Sequence, residues 1–324
     1  MVLQTSGAIS MQNIQDEFGG AHPISLSEYY SAASGVPASG AISISNFYGK
    51  SNIFYLTISS NVQQGNLHTL ATNAGWDGSS LLEATVNSGV WLWSDNTGVA
   101  GFTINVANAK IINNGRIIGR GGNGGVGGDD RGATAGWSGG PAINVTASGV
   151  WIVNNSGAYI AGGGGGGGSG DSGPRNAWGG GGAGGGGYYY NTGGGAINQK
   201  GAAPGANNGQ TAAGAGGSGG NANYNREVGT FGGGGGRQLP GNGGTFPGYV
   251  ANAWRDDGGY GMYGAANGGG GGSTGGNAIQ PASAGGGGWG ASGGYSGNAG
   301  GAGGAAITGT ARSLTNYGTI YGST

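Results

Sequence analysis

Short blocks in which apolar and polar positions alternate mark the first third of the chain: IFYLTI (Ile53–Ile58), VWLW (Val90–Trp93) and FTINV (Phe102–Val106), each bounded by Gly, Asn or Ser. Runs of that length rich in β-branched and aromatic residues predict strands. The same pattern returns twice more. GFTINVANAKIINNGRIIG (Gly101–Gly119) and GGAAITGTARSLTNYGTIYG (Gly303–Gly322) share their spacing. PAINVTASGVWIVNNSGAYIAG (Pro141–Gly162) carries the same elements with two extra residues before its Asn. Each copy runs from an apolar strand through an Asn-containing turn into a short strand holding Ile117, Ile160 or Ile320. Three related β-hairpins or solenoid-like turns packed together are the expectation. The glycine segments between the copies must then leave one end and return to it.

Within the first fifty residues SGAISMQNI (Ser6–Ile14) recurs as SGAISISNF (Ser39–Phe47), around a stretch containing PISLSEYY (Pro23–Tyr30), which reads as a small duplicated module. The expected fold class is a mainly β N-terminal region plus a glycine-rich sandwich of polyglycine-II helices, with very little α-helix. The expected organisation is a duplicated module at 1–50 and a β-rich domain at 51–118. The sandwich occupies 119–304, with β structure returning at 141–162, and a C-terminal β hairpin at 305–324 packs on 101–119 and 141–162.

Glycine sharpens that picture. It supplies 90 of 324 residues, and 77 of them lie beyond residue 118. Collagen needs a strict G-X-Y frame with abundant Pro, and only 8 Pro are present. With 7% charged residues, a charge-solvated disordered tail is also a poor fit. GRGGNGGVGGD (Gly119–Asp129) instead has period three: two frames are Gly and the third holds Arg120, Asn123, Val126 and Asp129. Three residues make one turn of a polyproline-II-type spiral, which has no internal hydrogen bonds. Two glycine faces can therefore bond laterally while the third carries side chains, as in an outer layer. Gly162–Gly168 and GGGGAGGGG (Gly179–Gly187) leave almost no frame for side chains and belong in a middle layer. Gly285, Gly288, Gly294, Gly297, Gly300 and Gly303 share one frame, broken by Ala291, long enough for one spiral of roughly 59 Å at ~3.1 Å per residue. Ordering each backbone costs about 1–2 kcal/mol against about 0.5–1.5 per hydrogen bond, so aromatic plugs such as Trp178, Phe231 and Trp289 are needed at the margins.

Charge and chemistry exclude most other functions. Eleven Lys+Arg against twelve Asp+Glu leave no basic footprint for nucleic acid. Cys is absent, so disulfides and thiolate metal sites are ruled out. The N-terminus lacks a basic and an apolar signal region, and no apolar run is long enough to enter a membrane. GRGGNG (Gly119–Gly124) matches a nucleotide-binding spacing without its strand-to-helix context. His22 and His68 pair with nothing, and adjacent carboxylates such as Asp129/Asp130 or Asp256/Asp257 point apart in sequence. No catalytic residue, metal or cofactor is expected.

Gly blocks such as Gly162–Gly168 and Gly232–Gly236, alternating with short polar, aromatic-bearing segments, resemble the detachable adhesins at the tips of long tail fibres in T-even-like bacteriophages. The resemblance covers roughly residues 119–304. It implies a sandwich of polyglycine-II helices whose tip loops contact an outer-membrane protein or surface glycan. The first fifty residues depart from it and resemble N-terminal modules of other tailed-phage virion proteins.

The expected function is thus a non-enzymatic receptor-binding protein of a phage tail. It is virion-located and acts at the host cell surface, and residues 1–118 join it to other tail proteins. Recognition falls to the connecting segments, because the spirals have almost no side chains to offer. Candidates are Asp129, Asp130 and Arg131; Asp171, Arg175 and Asn176; Tyr188, Tyr189 and Tyr190; and Arg237, Phe246, Tyr249, Trp254, Arg255, Tyr260 and Tyr263. The segments 129–134 and 171–177 follow spirals leaving the β end and should be distal. Rival readings are a virion structural or decoration protein without a receptor role, an ice-binding protein and a surface-polysaccharide depolymerase.

Overall fold

The computed structural model describes residues 2–33, 35–123, 135–168, 287–295 and 298–324. All the strands among them belong to one three-faced parallel solenoid. The first face stacks β1 (Ile53–Ile58), β4 (Leu81–Val86), β7 (Lys110–Asn113), β10 (Trp151–Asn154) and β13 (Ser313–Asn316). The second stacks β2 (Val62–Gln63), β5 (Trp91–Trp93), β8 (Arg116–Ile118), β11 (Tyr159–Ala161) and β14 (Thr319–Tyr321). The third stacks β3 (Gly65–Asn66), β6 (Phe102–Ile104), β9 (Ile143–Val145) and β12 (Ile307–Gly309). Every pairing is parallel. The chain therefore climbs one coil per circuit, and residues 51–118, 141–162 and 305–324 form a single body.

The expected C-terminal hairpin is not formed. β13 pairs with β10 and β14 with β11, each in a different sheet. Alternation puts Leu82, Ala84, Leu92, Phe102, Ile104, Ile111, Ile117, Ile143, Val145, Ile152 and Ile160 inside, all at or near zero exposure. A hairpin and a solenoid corner demand the same alternation, so only the pairing partner tells them apart. The two extra residues of the middle copy also move. Ile104 pairs with Val145, so the spacing up to Asn113 and Asn154 is equal, and the extra pair falls after Asn154 in the turn to β11.

At the corner between the first two faces, Asn113 and Asn154 are fully buried. Asn113 Nδ2 donates to Asn154 Oδ1 at 2.8 Å, and Asn154 Nδ2 donates to Asn316 Oδ1 at 2.8 Å. The stack supplies partners to amides that burial would otherwise penalise. Gly115 follows the first Asn because a Cβ there would meet the Val90 carbonyl at 2.3 Å.

Residues 2–52 contain no described strand; the β structure of the N-terminal region lies in 53–118, and the first fifty residues are a separate module. The duplicated phrase is a helix-start signal. In the first copy Ser10 caps α1 (Met11–Phe18): its Oγ accepts from Asn13 N and its N–H donates to Asn13 Oδ1. In the second, Ser43 N–H donates to Asn46 Oδ1 at the start of a 3-10 turn, Ile44–Phe47. This is a capping box with Asn at the third helical position. Ile14 and Phe47, equivalent in the two copies, are both fully buried in the module's own core with Leu3, Tyr29 and Val36. Glu17 Oε1 then accepts from Ser51 Oγ and Asn52 N, fixing the module to the start of β1. A second helix, α2 (Leu67–Asn73), buries Leu67 and Ala71 against the solenoid core beside Trp76.

Candidate functional site: the base of the glycine segments

Both long glycine excursions leave the solenoid at one corner, where the second face hands over to the third. Residues 119–142 connect β8 to β9, and residues 162–306 connect β11 to β12. The described parts run alternately outward and back. Gly119 and Gly122 donate to the Ala161 and Gly164 carbonyls, so 119–123 and 162–168 leave side by side. Gly163 and Gly166 donate to Gly140 and Trp137, so 135–140 returns against them. Gly287 and Gly290 donate to Gly165 and Gly162, Gly165 and Gly168 donate to Ala291 and Gly294, and Gly301 and Gly304 donate to Gly166 and Gly163.

Donors thus recur every third residue, and successive frames of 162–168 bond to different neighbours. Residues 162–168 sit in the middle, bonded to 120–123, 136–140, 287–294 and 298–304, and all are buried. The outer segments carry the side-chain frames. Arg120 and Asn123 are half-buried, and Ala299 and Ala302 are exposed while Gly301 and Gly304 face inward. Glycine is required here by contact distance, since a Cβ on Gly163 would lie 1.9 Å from the Arg120 carbonyl and one on Gly165 1.9 Å from that of Gly301.

The single nineteen-residue spiral expected across 285–303 is not present. The chain reverses at Trp289–Gly290, where Gly290 has φ +66° and Ala291 N–H donates to the Gly288 carbonyl. It has reversed again by Gly301, whose carbonyl accepts from Gly293. Sharing a sequence frame was not enough to keep these glycines in one spiral.

Trp289 at that reversal is fully buried, and fills the role expected of an aromatic plug. It packs on the outer side of the second face with Trp91, Ile118 and Ala161, edge-on to Tyr159 (6.2 Å) and Tyr321 (6.0 Å). Burial, with Tyr159 nearby, pushes the Tyr321 hydroxyl above its ordinary pKa. Arg120 donates to Asn123 Oδ1; burial lowers its pKa, against the opposing pull of Asp95. Trp178 and Phe231 lie outside the described residues.

All the sequence-predicted contact residues also lie outside the described residues: Asp129, Asp130, Arg131, Asp171, Arg175, Asn176, Tyr188, Tyr189, Tyr190, Arg237, Phe246, Tyr249, Trp254, Arg255, Tyr260 and Tyr263. What the structure adds is their point of departure. The 129–131 group lies between the outgoing 119–123 and the returning 135–140, and the others lie between 168 and 287.

The sequence did not single out the exposed row on the first face. There Lys110 Nζ meets Glu83 Oε2 at 2.9 Å and sits 5.1 Å from the Trp151 ring centroid, and Trp151 Nε1 donates to Thr315 Oγ1. Alternation of LLEATV, AKIIN and GVWIVN would have placed these residues outward together. Among the described residues no group of three or more His, Asp or Glu is placed to hold a metal, and no helix is long and apolar enough to cross a membrane.

Comparison with known proteins gives this architecture a family. Residues 53–222, over half of the chain, match the family of the phage tail fibre adhesin Gp38. The chain belongs to that family. The match runs from Ile53, the first residue of β1, through β11 into the second glycine segment, and leaves residues 1–52 and 223–324, with β12, β13 and β14, outside. A crystal structure of the gp37-gp38 adhesin tip complex of the bacteriophage S16 long tail fibre is similar over 98% of this chain and 99% of that one, at 22% identity and a TM-score of 0.49. No curated protein matches the chain.

Proposed function

We propose that this chain is a receptor-binding adhesin of a phage tail, non-enzymatic and acting outside the host cell. In this reading the base segments are polyglycine-II spirals that continue through 169–286 as a sandwich. The connecting segments, 129–131 and 171–176 at its far end together with 188–190, 237–257 and 260–263, touch an outer-membrane protein or a surface glycan. Residues 1–118 hold it to other tail proteins.

The observation that carries the reading is the arrangement around 162–168. Glycines bonded laterally in three frames leave no side chain for recognition in the spiral itself, so specificity must reside in the connections. Those connections carry Tyr188, Tyr189, Tyr190, Tyr249, Tyr260, Tyr263, Trp254, Arg131, Arg175, Arg237 and Arg255, of the residue types that dominate binding hot spots.

The test is loop exchange. Replacing 171–177 and 237–257 with Gly-Ser segments should abolish adsorption while particles still carry the chain. Protease or periodate treatment of the host cells then separates a protein receptor from a glycan. Unchanged adsorption and host range would leave a decoration protein instead.

A further inference from the structure

The second glycine excursion leaves from β11 and returns into β12, yet residues that follow both touch its base in three separate places. At its exit the Gly162 N–H donates to the Tyr321 carbonyl at 2.9 Å. At its reversal Trp289 packs edge-on to the Tyr321 ring, and a Cβ on Gly290 would lie 2.3 Å from Gly322 N. At its return the Ala306 and Ile307 N–H groups both donate to the Ser323 carbonyl, at 2.8 and 3.1 Å. Gly322 has φ +106°, and a Cβ there would stand 2.5 Å from the Gly304 carbonyl oxygen. Tyr321, Gly322 and Ser323 thus hold together the exit, the reversal and the return of one long loop.

Gly162, Ala306 and Ile307 are buried, and a buried N–H left without an acceptor costs more than an ordinary hydrogen bond contributes. The three contacts are therefore coupled to everything beyond them. Residues 162–168 bond to both limbs, so losing the contacts at the exit and the return frees both sides of the middle segment at once. The last coil, in contrast, docks without help from glycine. β13 pairs with β10, β14 pairs with β11, and the Thr319 N–H donates to the Ala158 carbonyl.

We propose that Thr319–Ser323 is the clasp of the second glycine excursion: it docks on the solenoid first, and the base segments 162–168, 287–294 and 298–306 pack only on the closed clasp. Synthesis runs from the N-terminus, so the clasp emerges after every glycine segment it closes. Those segments wait for it. A chain without its last coil then has a solenoid but no ordered base from which connecting segments could be presented. That the clasp governs recognition rests on the adhesin reading; the order of closure does not.

Native-state amide exchange on the full-length chain tests that order. The Ala306 and Ile307 amides, bonded to Ser323, report the clasp itself. Residues that depend on it cannot outlast it, so the protection factors of Gly163, Gly166 and Gly301 should not exceed those of Ala306 and Ile307 at any denaturant concentration. Gly322→Ala strains the clasp and drives it off the Gly304 carbonyl. Exchange at Gly162, Gly163, Gly301 and Gly304 should quicken about tenfold or more, while β4 and β7 keep the parent rates. Gly157→Ala is the control, because Gly157 has a similar φ of +80° but a Cβ there meets nothing within 4 Å. Its base should exchange as the parent's does.

Greater protection at Gly163, Gly166 or Gly301 than at Ala306 and Ile307 overturns the proposal. So does a base that exchanges at the parent rate in Gly322→Ala, or one that quickens equally in Gly157→Ala. Should Gly322→Ala unfold the solenoid as well, the exchange order in the parent chain alone decides. No host cell enters these measurements, so their outcome stands apart from that of the loop exchange.

Discussion

Gly163→Ala tests the lateral bonding on which the adhesin reading stands. A Cβ at this position lies 1.9 Å from the Arg120 carbonyl oxygen, where real Cβ contacts stay beyond 3.0 Å. The neighbouring segment must therefore retreat by about 1 Å. That stretches hydrogen bonds of 2.8 Å (Gly122 to Gly164), 2.8 Å (Gly119 to Ala161) and 2.7 Å (Gly140 to Arg120) beyond useful range. Three bonds at about 0.5–1.5 kcal/mol each give a loss of about 1.5–4.5 kcal/mol. At about 2–4 °C per kcal/mol this is a fall in Tm of about 3–18 °C. Gly98→Ala is the control, since its nearest neighbour, Asn96 Oδ1, is at 3.4 Å and ordinary contact is enough. Its expected effect is within about 0.5 kcal/mol. Calorimetry gives the Tm difference, and amide hydrogen exchange should show lost protection at 119–123, 136–140 and 301–304 while the solenoid core stays protected. If Gly163→Ala melts no earlier than Gly98→Ala, these segments are not packed backbone to backbone and the argument for loop-borne recognition fails with them.

Trp289→Ala empties a fully buried site between the second face and the glycine reversal, so a loss of about 3–5 kcal/mol is expected by chemical denaturation. Asn154→Ala removes the middle of the amide stack and leaves the buried Asn113 with only the Tyr159 carbonyl for its Nδ2; about 1–3 kcal/mol should be lost. Lys110→Met should cost no more than about 1 kcal/mol, less at high salt, because the pair with Glu83 is partly exposed. At Asp77, burial alone would raise the pKa, but hydrogen bonds from Ser80 and Ser79 outweigh it and hold the carboxyl at about 2, below its ordinary 3.8. The stabilisation is therefore complete above pH 3.8 and is lost as pH falls toward 2. Tm measured across that window should fall less steeply in Asp77→Asn than in the parent.

The repeat was legible in the sequence because each coil must present Ile at the same inward positions and Asn at the same corner. Which strand pairs with which was not. The partner of Asn113 is Asn154, forty-one residues away, and nothing local distinguishes a parallel neighbour at that distance from an antiparallel one next door. The N-terminal helix was legible in principle: Ser10 and Asn13 form a capping box, but Asn stands where Glu or Gln is usual, and the duplication drew attention to the repeat instead. The middle-layer position of 162–168 followed from its having no side chains. The reversal at Gly290 did not follow from frame counting, because a positive φ leaves no mark in a run already rich in glycine.

The solenoid explains why such a glycine-rich segment can be ordered at all. A lone extended glycine segment has no hydrogen bonds of its own, and ordering it costs more than any single lateral bond returns. Here the first outgoing residues are direct continuations of β8 and β11, two adjacent strands already held in register by Ile117–Ile160 and Ile118–Ala161. The first lateral bonds, Gly119 to Ala161 and Gly122 to Gly164, extend that register without a new closure cost. Trp289 then pins the returning chain to the same face. Slipping β8 against β11 by one residue would put the inward Ile117 and Ile160 on opposite sides of the sheet and misalign every glycine contact beyond it. The ordinary hydrophobic pattern of the solenoid therefore sets the register of a segment that has almost no pattern of its own.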